Sequence, residues 1–312
     1  MMSTLRKSVC NICCLWGGLA ATAGFFSPVA AQTKVGTTQV SLPIGRLEPW
    51  GVWSGNSLVA IQDCDSVAPI IHVYDRSDTE LQRVAVRIPE AGSISIANGG
   101  FVRSPDGSLA IAGVAFGSGS TGAGFLALIA EDGKAQTVVR IDSYDPSAIV
   151  FAADGVVWMA GHQETDDDYL IIRRFDKNGR ALNGVLWRKR FPATARPFWQ
   201  SYLVASKDRV GWFSAGVSQY IEFSLDGKEL ASYRHPVVAD TSGVALCEDN
   251  SVFAAREWKG EAGNAQSMLY SLDRQHGTWR ESTLRPFFYI YGCSETTLAS
   301  TTGPNIDWMD PR

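Results

Sequence analysis

The sequence has few of the residues from which most zinc and nucleophilic sites are built. It contains only four histidines in 312 residues, and no two of them have the spacing of zinc ligands. The Gly-x-Ser-x-Gly string of serine hydrolases is absent, as is the local context of a catalytic cysteine. These absences exclude the enzyme classes that short motifs reveal. They do not exclude carboxylates brought together from distant parts of the chain.

The first 31 residues have the composition of a signal peptide. Arg6 and Lys7 precede a mostly apolar run, and Val29-Ala30-Ala31 supplies the small residues that a signal peptidase needs. We therefore expect cleavage before Gln32 and a secreted or periplasmic domain over residues 32–312. The alternative is an uncleaved anchor, because the apolar run is close to the length that spans a bilayer.

The remaining chain also lacks an excess of positive charge. Of the 28 Lys and Arg residues, two belong to the first 31 residues, which leaves 26 against 32 Asp and Glu and a net charge of −6. Such a balance disfavours nucleic acid and anionic membranes as partners. We expect a monomer that stays free of the membrane once the signal peptide is removed.

Cysteine is scarce in the predicted mature domain. Three of the six cysteines lie before residue 32, and Cys64, Cys247 and Cys293 remain. Cys247 and Cys293 each end a first strand in neighbouring repeats, so they are candidates for a disulfide in an oxidising compartment. The opposite outcome stays open, because equivalent points of adjacent repeats can be too far apart for a bridge. Cys64 is then expected to be the thiol left over.

Short apolar runs joined by Asp-Gly and Asn-Gly turns repeat along the whole domain. Ser147 to Trp187 shows one complete unit of four short strands, a pattern typical of an antiparallel sheet. An aspartate follows the third strand of every unit, where its side chain can accept hydrogen bonds from backbone N–H groups two residues on. These turn residues are Asp75, Asp132, Asp176, Asp226, Asp273 and Asp310.

The repeats predict an all-β fold, a six-bladed β-propeller of four-stranded antiparallel blades. The six turns span 235 residues, a mean interval of 47, and the second strands are apolar enough to be buried on both faces. The last unit has three strands before the sequence ends. The segment Thr38 to Leu42 precedes the first unit and can pair outside Asn305 to Met309, which would close the ring and remove both sheet edges.

These strand and turn patterns resemble the secreted six-bladed propellers of bacteria, the group that includes NHL-repeat and TolB-like proteins. The resemblance covers Thr38 to Arg312 and does not single out one family within the group. A second likeness, to the Asp-box of sialidase-type propellers, lies at Ser271-Leu272-Asp273 and Gly277-Thr278-Trp279 but departs from that pattern in its spacing. Because that box is a structural turn, it implies no activity.

Ligands of propellers usually bind where the second-to-third and fourth-to-first connections surround the central channel, a side we call the funnel face. Aromatic rings with a few charged groups can stack on a sugar or hold a peptide there. The alternative is that the rings brace the blades. The candidate ligand-binding residues are Trp50, Asp63, Tyr144, Asp145, His162, Arg196, Trp199, Asp240, Arg285 and Tyr289.

An acidic run offers the only obvious cation ligands. Glu164, Asp166, Asp167 and Asp168 carry the hard oxygens that Ca²⁺ prefers, but their spacing matches no EF-hand loop. A solvated loop tip explains the same residues. We therefore assign no metal site and no cofactor, and keep a divalent cation such as Ca²⁺ as the alternative.

Two functions remain compatible with the sequence. The first is a non-catalytic binding or scaffold module whose funnel face takes a protein, peptide or glycan, since no catalytic constellation is recognisable. The second is a metal-dependent hydrolase or lactonase-like enzyme in which carboxylates such as Asp63, Asp145 and Asp240 hold a divalent ion in the channel. The two differ in whether several carboxylates converge on one point.

Overall fold

A computed structural model of the chain describes residues 34–39, 51–97, 99–117, 122–163, 168–237, 240–259, 265–285, 289–301 and 305–311. They form a six-bladed β-propeller, in which each blade is an antiparallel sheet whose strands follow one another from the channel outward. Blade 1 consists of Gly51–Ser54, Ser57–Gln62, Ile70–Tyr74 and Glu80–Ala85. Blade 2 consists of Ser93–Ser95 with Phe101–Arg103, Leu109–Phe116, Gly122–Ile129 and Gln136–Ile141. Blade 3 consists of Asp145–Phe151, Val157–His162, Leu170–Phe175 and Leu186–Trp187. Blade 4 consists of Ser201–Ala205, Arg209–Ser214, Gln219–Ser224 and Glu229–Arg234. Blade 5 consists of Thr241–Leu246, Val252–Lys259, Ala265–Asp273 and Thr278–Arg285. Blade 6 consists of Tyr289–Ser294, Thr297–Thr301, Asn305–Met309 and Lys34–Gln39.

The N-terminal strand closes the ring as the sequence predicts. Lys34–Gln39 pairs antiparallel with Asn305–Met309 and becomes the outermost strand of blade 6. It begins four residues earlier than the predicted Thr38, and residues 40–42 of the prediction lie outside the described residues. Because the first and last parts of the domain share one sheet, the ring opens only if this strand detaches.

Blade 2 departs from the simple repeat. Its innermost strand is split into Ser93–Ser95 and Phe101–Arg103, which both pair with Leu109–Phe116. A two-residue strand, Asp65–Ser66, reaches over from blade 1 and pairs with the first of these pieces. The second-to-third connection of blade 1 therefore covers part of the edge of blade 2 on the funnel face.

The outermost strand of blade 3 is shorter than expected. The sequence predicts a strand from Gly184, but the structure gives only Leu186–Trp187, which pairs across a register shift with Leu170 and Ile172. A short 3₁₀ turn, Arg188–Arg190, follows.

Within the part of the chain that is described, no helix is long and apolar enough to cross a membrane.

Three of the six aspartates after the third strands make the predicted turn contact. The carboxylates of Asp75, Asp132 and Asp176 each accept a hydrogen bond from the backbone N–H two residues on. Backbone N–H groups lower the pKa of Asp75, chiefly through Thr79, and of Asp132, chiefly through Lys134, since these hydrogen bonds favour the charged carboxylate. Turn geometry therefore explains the aspartate at these three turns without a bound ligand.

The hydrophobic core lies between neighbouring blades. The second strands are largely buried, as the uniformly apolar runs predict. Between blades 3 and 4, for example, Trp158 and Trp212 lie in one cluster with Phe223 and Ile171. Side chains at equivalent depth from adjacent sheets thus bury each other, and this burial is the main favourable contribution to folding.

We call the face opposite the funnel face the turn face. Hydrogen bonds between neighbouring blades lie on this turn face. Arg174 donates to the carbonyls of Leu225 and Asp226 in blade 4. The backbone N–H of Glu248 donates to the carbonyl of Glu295 in the next blade. These hydrogen bonds join two separate sheets, so they resist the sliding of one blade against the next.

A disulfide joins blades 5 and 6 at the turn face. Cys247 and Cys293 are bonded, with their Cα atoms 5.2 Å apart. This separation lies within the range that a disulfide tolerates, which the sequence alone left open. Cys64 is buried in blade 1 and takes no part in that bond.

His235 is buried in blade 4 in a way that holds it neutral. Its ring stacks on Phe213 with centroids 3.9 Å apart, and its Nε2 lies 3.0 Å from the carbonyl oxygen of Ser214. Burial lowers the pKa of His235 from 6.5 to about 4, because the charged ring would lose its hydration. The unfolded chain therefore takes up a proton between these pH values and the folded chain does not.

We expect this histidine to contribute to acid sensitivity. Above pH 6.5 the ring is neutral in both the folded and the unfolded chain, so His235 costs no stability there. As the pH falls from 6.5 towards 4, only the unfolded chain gains the proton, and the free energy of unfolding decreases. The loss between pH 7 and pH 4.5 should be about 2.5 kcal/mol. Urea unfolding of the wild type and of His235→Gln at both pH values isolates this part, since the other titrating groups are common to both proteins. Equal pH-dependent losses in the two proteins would show that His235 is not responsible.

Candidate functional site

The two faces of the propeller are built differently. First-to-second connections on the turn face are tight turns, such as Gly55-Asn56 between Ser54 and Ser57. On the funnel face, the connection from Trp187 to Ser201 is thirteen residues long by the strand bounds. Longer connections can carry side chains that contact a ligand, because these residues take no part in forming the sheet. A binding site is therefore expected on the funnel face.

The connection between blades 3 and 4 meets the second strand of blade 3 in a small cluster, which we call the aromatic patch: Asp145, His162, Phe198 and Trp199. The rings of His162 and Phe198 stack with centroids 4.1 Å apart. Asp145 pairs in register with His162 across the sheet, and its Oδ2 lies 4.0 Å from Nε2 of His162. Trp199 follows Phe198 and is 44% exposed, unusual for so large an apolar side chain.

Arg188 explains how this long connection is held. Its side chain is buried and donates to the carbonyls of Phe191, Ala193 and Ala195. One guanidinium thus fixes three points of the loop that leads to Phe198, an arrangement that the planar five-donor group allows and an ammonium does not. Arg188 was not among the residues predicted from the sequence, where its only signal is the basic run from Arg188 to Arg190 after a strand.

Two carboxylates lie together at the corresponding end of blade 5. The carbonyl of Asp240 accepts a hydrogen bond from the backbone N–H of Glu257. Burial raises the pKa of Glu257, and the charge of Asp240 raises it further. Asp240 itself is exposed. The sequence proposed Asp240 as a candidate, but only the fold shows that Glu257 is its neighbour.

The other candidates occupy separate places. Tyr144 is buried in blade 3, where its hydroxyl donates to the carbonyl of Ile171 and Arg173 lies over its ring, so it braces the blade. Burial also raises the pKa of Tyr144. Asp63 and Arg196 are exposed on their connections, and Tyr289 lines the central channel. The structure therefore brings Asp145 and His162 together beside Phe198, the residue that precedes Trp199, and leaves Asp63 and Tyr289 apart from them.

Several predicted residues cannot be placed. Trp50 lies outside the described residues, as do Glu164, Asp166 and Asp167 of the acidic run. The backbone of Arg285 ends the outermost strand of blade 5, but its side chain lies outside the description. Asp168 accepts a hydrogen bond from Nζ of Lys189 at 3.1 Å.

The described side chains do not form a metal site. Among them, no three His, Cys, Asp or Glu residues lie close enough to share an ion. Asp63, Asp145 and Asp240, the carboxylates that the enzyme hypothesis would use, are all described and are not brought together. A cation site made by these three is therefore not supported by their arrangement.

Comparisons with known proteins reveal the fold. No family model matches the chain, and no curated protein does either. Among solved structures, a protein described as exported from Bacteroides fragilis is 11% identical with a TM-score of 0.52, over 87% of this chain and 85% of that one. The Pan2 WD40 domain of Neurospora crassa is 10% identical with a TM-score of 0.50, over 93% and 98%. The virginiamycin B lyase of Staphylococcus aureus is 12% identical with a TM-score of 0.45, over 86% and 98%.

Proposed function

We propose that the chain is a secreted or periplasmic binding module, without catalytic activity of its own, that takes a glycan or peptide at the aromatic patch. The observation that carries the proposal is the exposed Trp199, which follows Phe198 in the chain, together with the stacking of Phe198 on His162. An exposed indole offers an apolar surface for stacking, and the carboxylate of Asp145, which pairs with His162, offers a hydrogen-bond acceptor for hydroxyl or amide groups. Both sugars and peptides carry these complementary groups.

Two features support export. Residues 1–31 have the charge and apolar pattern of a signal peptide. The Cys247–Cys293 disulfide needs an oxidising compartment, such as the periplasm or the outside of a cell. A protein with both features is expected to meet its ligand outside the cytoplasm.

The proposal is tested by binding. Wild-type protein would be applied to a glycan array and a peptide array, and a ligand found there would be titrated by isothermal calorimetry. Trp199→Ala should weaken its binding about tenfold or more, because aromatic side chains at the centre of a site carry much of the affinity. Trp187→Ala is the matched control, since Trp187 is 43% exposed but ends the outermost strand of blade 3.

Two results would count against the proposal. An equal effect of Trp199→Ala and Trp187→Ala would mean that the aromatic patch is not the binding surface. Chemical change of the bound ligand, followed by mass spectrometry over time, would favour the hydrolase or lactonase alternative. In that case Asp145→Asn and His162→Gln should slow the conversion, since these are the titratable groups of the patch.

A further inference from the structure

The central channel is a cavity separate from the aromatic patch. Its volume is about 440 Å³. Pockets that hold small molecules measure about 300 to 1,000 Å³. The innermost strands of the blades form its walls, and neither Asp145 nor Trp199 is among the described residues that line it. The proposed function therefore leaves this space unused.

The channel wall combines apolar side chains, tyrosines and strand edges. Partly exposed side chains along it are Val52, Val150, Tyr202, Val204, Tyr289 and Tyr291. The innermost strands of blades 1, 3, 4, 5 and 6 stand at the end of their sheets, so each pairs with a neighbouring strand on one side only. Their other edges carry backbone N–H and C=O groups towards the channel.

Charge is confined to one end of the channel. Among the described lining residues, the charged ones are Arg103, Lys207 and Glu248, which all lie at or next to first-to-second connections on the turn face. Nη1 of Arg103 is directed to the hydroxyl of Ser57 at 2.8 Å. Burial raises the pKa of Tyr291 to about 12. Away from the turn-face end, a charged group inside the channel would find no opposite charge on the described wall and would lose its hydration.

From this geometry we infer that the central channel binds one uncharged small molecule with a largely apolar body and a few amide- or hydroxyl-type groups. The apolar part packs against Val52, Val150 and Val204. The polar groups of the ligand bond to the unpaired edges of the innermost strands. This inference goes beyond the proposed function, because it uses different residues and a different class of ligand.

The test uses two fluorescent probes with the same ring system. N-phenyl-1-naphthylamine is uncharged, and 1-anilinonaphthalene-8-sulfonate carries a sulfonate. We expect the neutral probe to bind saturably at one site per chain. The sulfonated probe should bind more than about tenfold more weakly, because away from the turn-face end the described wall offers its charge no partner. No saturable site for the neutral probe, or equal binding of the two, would overturn the inference.

Matched variants locate the site. Val204→Trp places an indole in the channel and should weaken binding of the neutral probe by about tenfold or more, since it fills part of a cavity of that size. Leu230→Trp adds the same side chain on the exposed outermost strand of blade 4 and should change nothing. If Val204→Trp does not fold, Val52→Phe narrows the channel from blade 1. Unchanged binding in a folded channel variant would overturn the assignment, whereas unchanged binding in Trp199→Ala is expected, because that variant tests the aromatic patch.

Discussion

Reduction of the Cys247–Cys293 disulfide is expected to lower the free energy of unfolding by about 4 kcal/mol, because the bond closes a loop of 46 residues in the unfolded chain. The same residues lie in the core where blades 5 and 6 meet. The bond therefore limits the unfolded ensemble and joins the innermost strands of two neighbouring blades. Urea unfolding with and without dithiothreitol measures the effect.

A double variant provides the control for this prediction. Cys247→Ala with Cys293→Ala should already be destabilised, and dithiothreitol should not destabilise it further. Cys64→Ala should keep its full sensitivity to the reductant, because Cys64 is not part of the disulfide. If the reductant affects the wild type and the double variant equally, its action does not pass through this bond.

The architecture could be predicted from the sequence because its signals are local. An Asp turn needs only its own carboxylate and the N–H groups that follow, as Asp176 and its neighbour Asn178 show. A strand buried between two blades needs only an unbroken apolar run, as Val157–His162 shows. Ring closure followed from the three-stranded last unit and an unassigned strand before the first. Each of these inferences requires no knowledge of how the blades are oriented.

The binding surface could not be predicted in the same way, because it depends on contacts between blades. His162 and Phe198 stack although the third and fourth strands of blade 3 and a long connection separate them in sequence. Whether Tyr144 faces the funnel or the core depends on the register of the following strand, which shifts between Pro146 and Ala148. Arg188 reads as one of three consecutive basic residues until its carbonyl partners are known. Orientation of this kind is set by tertiary packing and leaves no periodic signal.

The split strand of blade 2 shows a second limit. The innermost strand of blade 2 is broken between Ser95 and Phe101, which places Gly99 next to blade 3 and Gly100 against the second strand of its own blade. The N–H of Ile149 in blade 3 donates to the carbonyl of Gly99. At Gly100 a Cβ would lie 2.6 Å from the carbonyl oxygen of Ala112, so a side chain there would force the strands apart. The glycines are visible in the sequence, but their reason lies in a neighbouring strand and blade.

Removal of the buried charge of Glu222 is expected to destabilise the protein by about 3 kcal/mol, because two arginines would lose their counter-ion. Glu222 lies in the third strand of blade 4 with only 1% of its side chain exposed. Nη1 of Arg209 donates to its Oε2 at 3.0 Å, and Nε of Arg274 in blade 5 donates to its Oε1 at 3.2 Å. The carboxylate thus links two blades through one shared charge.

The variant Glu222→Gln keeps the shape of the side chain and removes its charge, so it tests the ionic part of this contact. The control is Glu229→Gln in the same blade, which breaks the pair with Arg190. The side chains of Arg190 and Glu229 are 35% and 38% exposed, so water screens their charges. We therefore expect Glu229→Gln to lower the free energy of unfolding by less than about 1 kcal/mol. Urea unfolding of both variants, with unchanged m-values, gives the comparison. If Glu222→Gln costs no more than Glu229→Gln, the blades must be held by apolar packing, and the buried carboxylate contributes only shape.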